Sequence, residues 1–185
     1  MKSSLIILSL LIAAISCYNR GAAVNYAYQY VFGANHKCNG VWSCSPYAYF
    51  GSESCGYKGE GGDCANFVSQ CLIAGGHPAL KGGQCRGICN AEPGAWRLSV
   101  CLPENFGWTA TCGYRKAPPS YIQPGDVLIY FTDSGCSTTN AHAVLVTQVG
   151  GGGASITCHS SDQQDIDYNY MASSKPFYKW IHFND

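Results

Sequence analysis

Gly61-Gly62-Asp63-Cys64-Ala65-Asn66-Phe67-Val68-Ser69-Gln70-Cys71-Leu72-Ile73-Ala74-Gly75-Gly76 reads as one helix carrying a cysteine in its first turn. Asp63 is expected at the N-cap, its carboxylate accepting from the free N–H groups of the first turn, and Gly75 suits a left-handed C-cap. Phe67, Val68, Cys71 and Leu72 follow Cys64 at helical spacing, which gives the segment one apolar face. Cys64 then meets unpaired N–H groups and the positive end of the helix dipole, a setting that lowers a thiol pKa and makes a nucleophile. Taken singly, a cysteine is more often a small structural residue of the core. What decides is whether the remaining chain supplies a base.

The flanking sequence sets the compartment. Residues 1–17 read as a secretory signal peptide: Lys2, an apolar run from Leu5 to Ile15, then small residues, with cleavage after Ser16 or Cys17. The run is too short for a membrane span, so no stable membrane insertion is expected. Residues 18–185 are of a size for one domain with its own core. The predicted location is secreted, or the lumen of the secretory or endolysosomal pathway. Twelve cysteines in such a chain imply disulfides. If Cys17 leaves with the signal and Cys64 is a free thiol, ten cysteines remain, enough for five bridges. A zinc site on Cys85 and Cys89 has no nearby His partner, and no metal and no cofactor is expected. Eleven basic and eleven acidic residues balance, without a polybasic face, so nucleic acid is not an expected partner. A monomer is expected.

Further along, Asn19 to Phe32 reads as a helix, with Ala23, Tyr26, Ala27, Tyr30 and Val31 at helical spacing. Ala34 to Glu60 and His77 to Ser120 read as irregular, disulfide-stapled stretches, with a short helix around Trp96 to Cys101. The last third changes character. Gln123-Pro124-Gly125 is a turn, and strands are predicted at Asp126 to Phe131, His142 to Val149, Ala154 to His159 and Phe177 to Phe183. Helices first and antiparallel strands later make an α+β fold.

Two histidines lie on the predicted hairpin. If the turn at Gly150 to Gly153 is symmetric, Val149 pairs with Ala154, and His142 and His159 share a sheet face as diagonal neighbours. A one-residue slip or a bulge would separate them. In the symmetric register His142 is the candidate base for the Cys64 thiol and His159 the group that fixes its tautomer. The plain reading of either is a satisfied, partly buried strand histidine. Asp162 is the rival third member, on the other face in that register. Backbone N–H groups at the start of the helix, that of Cys64 included, are the candidate oxyanion hole. His36, His77 and His182 read as surface or loop residues.

Gly62-Asp63-Cys64-Ala65-Asn66-Phe67-Val68-Ser69-Gln70-Cys71-Leu72 with Ala74-Gly75-Gly76 resembles the cysteine motif of the putative amidase domain family, which is grouped with papain-like cysteine peptidases and, more distantly, the NlpC and CHAP cell-wall hydrolases. Tyr18-Asn19-Arg20 with Tyr26-Ala27, Pro124-Gly125-Asp126-Val127, His142-Ala143-Val144 and Ile156-Thr157-Cys158-His159-Ser160-Ser161-Asp162 are similar to its other blocks. The resemblance implies a papain-like core, with a nucleophile helix packed on an antiparallel sheet. It also implies Cys64 as nucleophile, His142 as base and His159 as third member, acting on an amide bond in a peptide or cell-wall peptide. The cysteine-rich loops depart from most bacterial members, so specificity does not carry over. Two other readings stand beside this one: a disulfide-rich module that binds glycans or peptides through its Tyr and Trp loops without catalysis, and acyl transfer to an amine by the same cysteine.

Overall fold

The computed structural model describes residues 18–32, 63–86, 92 and 94–184. The predicted signal segment, His36, Cys38, Cys44, Cys55, Gly61, Gly62 and Cys89 lie outside the described residues. Among those described, the helices are α1 (Arg20–Tyr30), α2 (Cys64–Ala74) and α3 (Ala95–Phe106). The strands are β1 (Lys81–Gly82), β2 (Cys85–Arg86), β3 (Thr109–Tyr114), β4 (Val127–Phe131), β5 (His142–Gly150), β6 (Gly153–Cys158), β7 (Gln163–Asp167) and β8 (Phe177–His182). The fold is α+β. Its centre is a six-stranded sheet in the order β3-β8-β4-β5-β6-β7, antiparallel throughout, with β1 and β2 forming a separate small ladder.

Strand β4 explains why its sequence is apolar without alternation. It lies between β8 and β5 and is buried on both faces. Val127, Ile129 and Phe131 join Ala143, Leu145 and Ile181 under the helices, whereas Leu128 and Tyr130 join Val144, Val146, Ile156, Tyr178 and Trp180 in a second core. Tyr168, Tyr170, Met171 and Ala172 cover that second core from outside.

Helix α2 runs where its periodicity puts it, but both of its ends differ from expectation. At the C-terminus the left-handed residue is Gly76, φ 88°, while Gly75 is right-handed, φ −74°. Gly75 is required for another reason: a Cβ there would lie 2.5 Å from the Tyr18 ring and 2.9 Å from the Asn19 carbonyl oxygen, where α1 begins. At the N-terminus the Asp63 carboxylate makes no capping bond to the helix. It is drawn sideways by stronger partners, described below.

The stretch 77–120, read as irregular, contains α3, longer than the predicted turn around Trp96, and the strand β3. Cys85–Cys101 ties α3 to β2, and Cys112–Cys136 ties β3 to the loop after β4. Cys64, Cys71 and Cys158 are free and buried, so Cys64 is not the single thiol that the parity of the cysteines suggested. His77 lies in a loop as expected but is buried, and His182 ends β8 rather than lying on a loop or the surface. His77 is buried with Nδ1 on the Pro78 carbonyl, and His182 Nδ1 lies 2.7 Å from the Asp126 carboxylate.

Asp126, fully buried, gathers both ends of the described chain. Its oxygens meet Arg20 at 2.5 Å, His182 at 2.7 Å, and the backbone N–H groups of Gln123 and Phe183 at 2.8 and 3.2 Å. Arg20 also donates to the Phe183 carbonyl and the Tyr18 hydroxyl to the Gly125 carbonyl. Gly125 sits at φ 90° against Arg20, a place no Cβ fits without strain.

Candidate active site

Cys64 is the first residue of α2, 7% exposed and outside any disulfide. Burial pushes the Cys64 thiol up to about 11, outweighing the backbone N–H groups of Ala143 and Ala65, which favour the thiolate. The expected lowering by the helix dipole is therefore corrected: the thiol is held neutral because desolvation penalises the thiolate more than the nearby N–H groups favour it.

Helix α2 packs on β5, the strand that carries His142. Strand β5 starts with His142, paired with Tyr130 of β4, and the backbone of the next residue, Ala143, acts on the Cys64 thiol. The His142 ring lies near-parallel to Tyr130, centroids 6.3 Å apart, and edge-on to Tyr170 at 6.2 Å. Burial, with the nearby Lys175 charge, lowers its pKa to about 4, so the imidazole is neutral at pH 7. Its Nε2 is buried and makes no hydrogen bond. Buried polar atoms are rarely left so, and an orphan of this kind calls for an explanation.

His159 is placed elsewhere, and a bulge is the cause. Val149 pairs with Ala154 and Gln148 with Ser155, as a symmetric turn requires, but Val146 then pairs with Ile156. Thr147 is the extra residue. It is held by its hydroxyl, 2.7 Å from Asp165 and 3.3 Å from the Ser155 carbonyl. Beyond it the register has slipped by one, which turns Cys158 toward the second core and His159 toward the helices. The expected sharing of one face by His142 and His159 is thus overturned.

His159 stacks on Phe67 of α2, centroids 4.3 Å apart, with Nδ1 2.8 Å from Asp63 Oδ2 and Nε2 2.9 Å from the Tyr30 carbonyl oxygen. Both nitrogens face acceptors, so both carry protons in the best hydrogen-bonded state. Burial opposes the charge, yet the Asp63 carboxylate and the Tyr30 carbonyl raise the His159 pKa on balance. Asp63 Oδ1 accepts from Asn66 Nδ2 at 2.8 Å, Asn66 Oδ1 from Gln70, and Gln70 Oε1 from the Tyr26 hydroxyl. This chain of bonds takes the Asp63 side chain away from the first turn of α2, so its N–H groups lack the expected carboxylate cap. Ser160 Oγ accepts the Asp63 N–H at 3.0 Å, from a left-handed backbone, φ 77°. Asp162 lies in the turn between β6 and β7, and its charge acts on Cys158 and His159.

Three residues escaped the sequence reading. Cys158 has its sulfur 3.4 Å from the Tyr170 hydroxyl, and Lys175 donates to the carbonyl and side-chain oxygens of Asn140, two residues before His142. Tyr170 and Lys175 have no local signature, because the segment after β7 brings them in, and Cys158 is turned into place by the bulge opposite β6. Among the described residues no group of three or more His, Cys, Asp or Glu is arranged to hold a metal ion, and no helix is long and apolar enough to cross a membrane.

The molecule is an α+β domain in which a helix that opens on a free cysteine packs on an antiparallel sheet, against a strand that opens on a buried histidine. The chain belongs to the putative amidase domain family, whose sequence model matches residues 17–182. Hydrolysis of amide bonds is the activity class that this membership carries. No curated protein matches the chain significantly, and no solved structure does.

Proposed function

We propose that the protein is a secreted, papain-like cysteine amidase or peptidase that cleaves peptide amides, those of peptidoglycan among them. The observation that carries this reading is a free Cys64 at the start of α2, packed on the strand whose first residue, His142, has a buried Nε2 with no hydrogen-bond partner.

Both groups are neutral at rest, so the proton moves as the bond forms. His142 Nε2 takes the Cys64 proton while sulfur adds to the amide carbonyl carbon. The oxyanion is received by first-turn N–H groups of α2, that of Cys64 included. Collapse breaks the C–N bond, and His142 returns the proton to the leaving amine. Water then attacks the thioester, with His142 again accepting a proton, and the thiol and a carboxylic acid are released. In this scheme His159 acts through Asp63, keeping that carboxylate off the oxyanion site, and is a positioning residue rather than a partner of His142.

The test is incubation with purified peptidoglycan and mass analysis of the products. Wild type is expected to release muropeptides with new amine and carboxylate ends, and Cys64→Ala and His142→Ala to release none while still unfolding cooperatively in urea. Undiminished release by Cys64→Ala would end the reading.

A further inference from the structure

The proposed site has a cation beside it that the hydrolytic scheme does not use. Lys175 Nζ donates 3.1 Å to the Asn140 carbonyl oxygen and also to the Asn140 side-chain oxygen. Both acceptors are neutral, an ammonium has three donors, and among the described residues no carboxylate pairs with it. The side chain is half-buried, and that burial lowers its pKa. A charge partly withdrawn from water without a counter-ion is unfavourable in the free protein and favours an anion that arrives with a ligand.

Its position follows from two separate parts of the chain. Asn140 precedes His142 by two residues, so the ammonium is anchored at the lip of β5. The segment after β7 sets Tyr170 against the His142 ring and turns on itself through the Lys175 N–H to Met171 carbonyl bond of 2.8 Å, which brings Lys175 back to the same place. The Lys175 charge is felt at both reacting groups, Cys64 and His142.

We propose that Lys175 is a specificity determinant that receives a substrate carboxylate, so that the enzyme selects amides with a free carboxylate close to the scissile bond. This rests on the Cys64–His142 reading and names the substrate class for it. A contact between an ammonium and a carboxylate that is lost in a neutral substrate is worth at least about tenfold in discrimination.

The experiment uses soluble muropeptides in two forms, native and with their carboxylates converted to carboxamides. Wild type is expected to cleave the native form with a kcat/KM at least about tenfold higher. Lys175→Gln should slow the native form alone and bring the ratio near one, and Lys175→Arg should keep most of the preference. An unchanged ratio in Lys175→Gln overturns the proposal. So does an equal fall for both forms, which would assign the ammonium to tuning of the thiol and imidazole. Binding of the two forms to Cys64→Ala, with and without Lys175→Gln, gives a readout independent of turnover. Binding of the native form that depends on Lys175 supports the carboxylate site even if wild type cleaves neither form, a result that would instead sink the hydrolase reading. Equal binding, or none, overturns it.

Discussion

At Cys64 and His142 burial sets both protonation states. With the thiol pushed up to about 11 and the imidazole down to about 4, the resting pair is uncharged. The rate of Cys64 alkylation by iodoacetamide should therefore climb with pH through neutrality without a plateau between about pH 5 and 8. A plateau in that window would mean a preformed thiolate–imidazolium pair. His142 also makes the fold acid-sensitive. Its folded pKa lies below the ordinary histidine value, so its contribution is present above that value and lost as pH falls: the unfolded chain takes up a proton that the folded imidazole refuses until about pH 4. The loss approaches about 3 kcal/mol between pH 6.5 and 4. Urea unfolding of His142→Asn should show a shallower decline than wild type across that window. His159 has the opposite sign. With its pKa raised, its contribution is complete in acid and is lost as pH rises through the folded value.

Among the elements, α2 was legible because its signals are local: spacing, a polar residue before it and glycines after it. What lies at its ends was not, since Asp63 and Gly75 answer to His159 and Tyr18, far off in sequence. Breaking the buried His159–Asp63 pair by His159→Ala should cost about 3–5 kcal/mol, read as a lower urea midpoint, because the buried Asp63 carboxylate loses its imidazole partner. The hairpin teaches a related lesson. Val144 to Val149 has the β-branched content of a regular strand, and nothing in Thr147 announces a bulge, since Asp165 holds it from another strand. Strand β4 could be read from its apolar run, whereas β3 and β7 are edge strands with little buried surface and gave no pattern. Deleting Thr147 should unfold the protein rather than shift the register. His142, Ala143 and Val144 alternate between two buried environments, and the slip would exchange them all.

For the molecule as a whole, the two cores were foreseeable only in part. An α+β order with an antiparallel sheet follows from helical periods early and β-branched runs late, but the layer outside the second core is built of turns, Tyr168 to Ala172, that carry no period. The Asp126 cluster was equally hidden: the Pro124-Gly125-Asp126 turn was visible in the sequence, its partners Arg20 and His182 were not. Asp126→Ala leaves Arg20 without its carboxylate in a buried setting and should destabilise by about 3–5 kcal/mol, measurable by calorimetry or urea unfolding. The same cluster bears on chain connectivity. Because Tyr18 and Arg20 at one end and His182 and Phe183 at the other close on a single turn, the described domain is nearly a ring. A circular permutant that joins Asn184 to Tyr18 through a short glycine linker and opens at the exposed Gly151-Gly152 turn should fold with its thiol site intact.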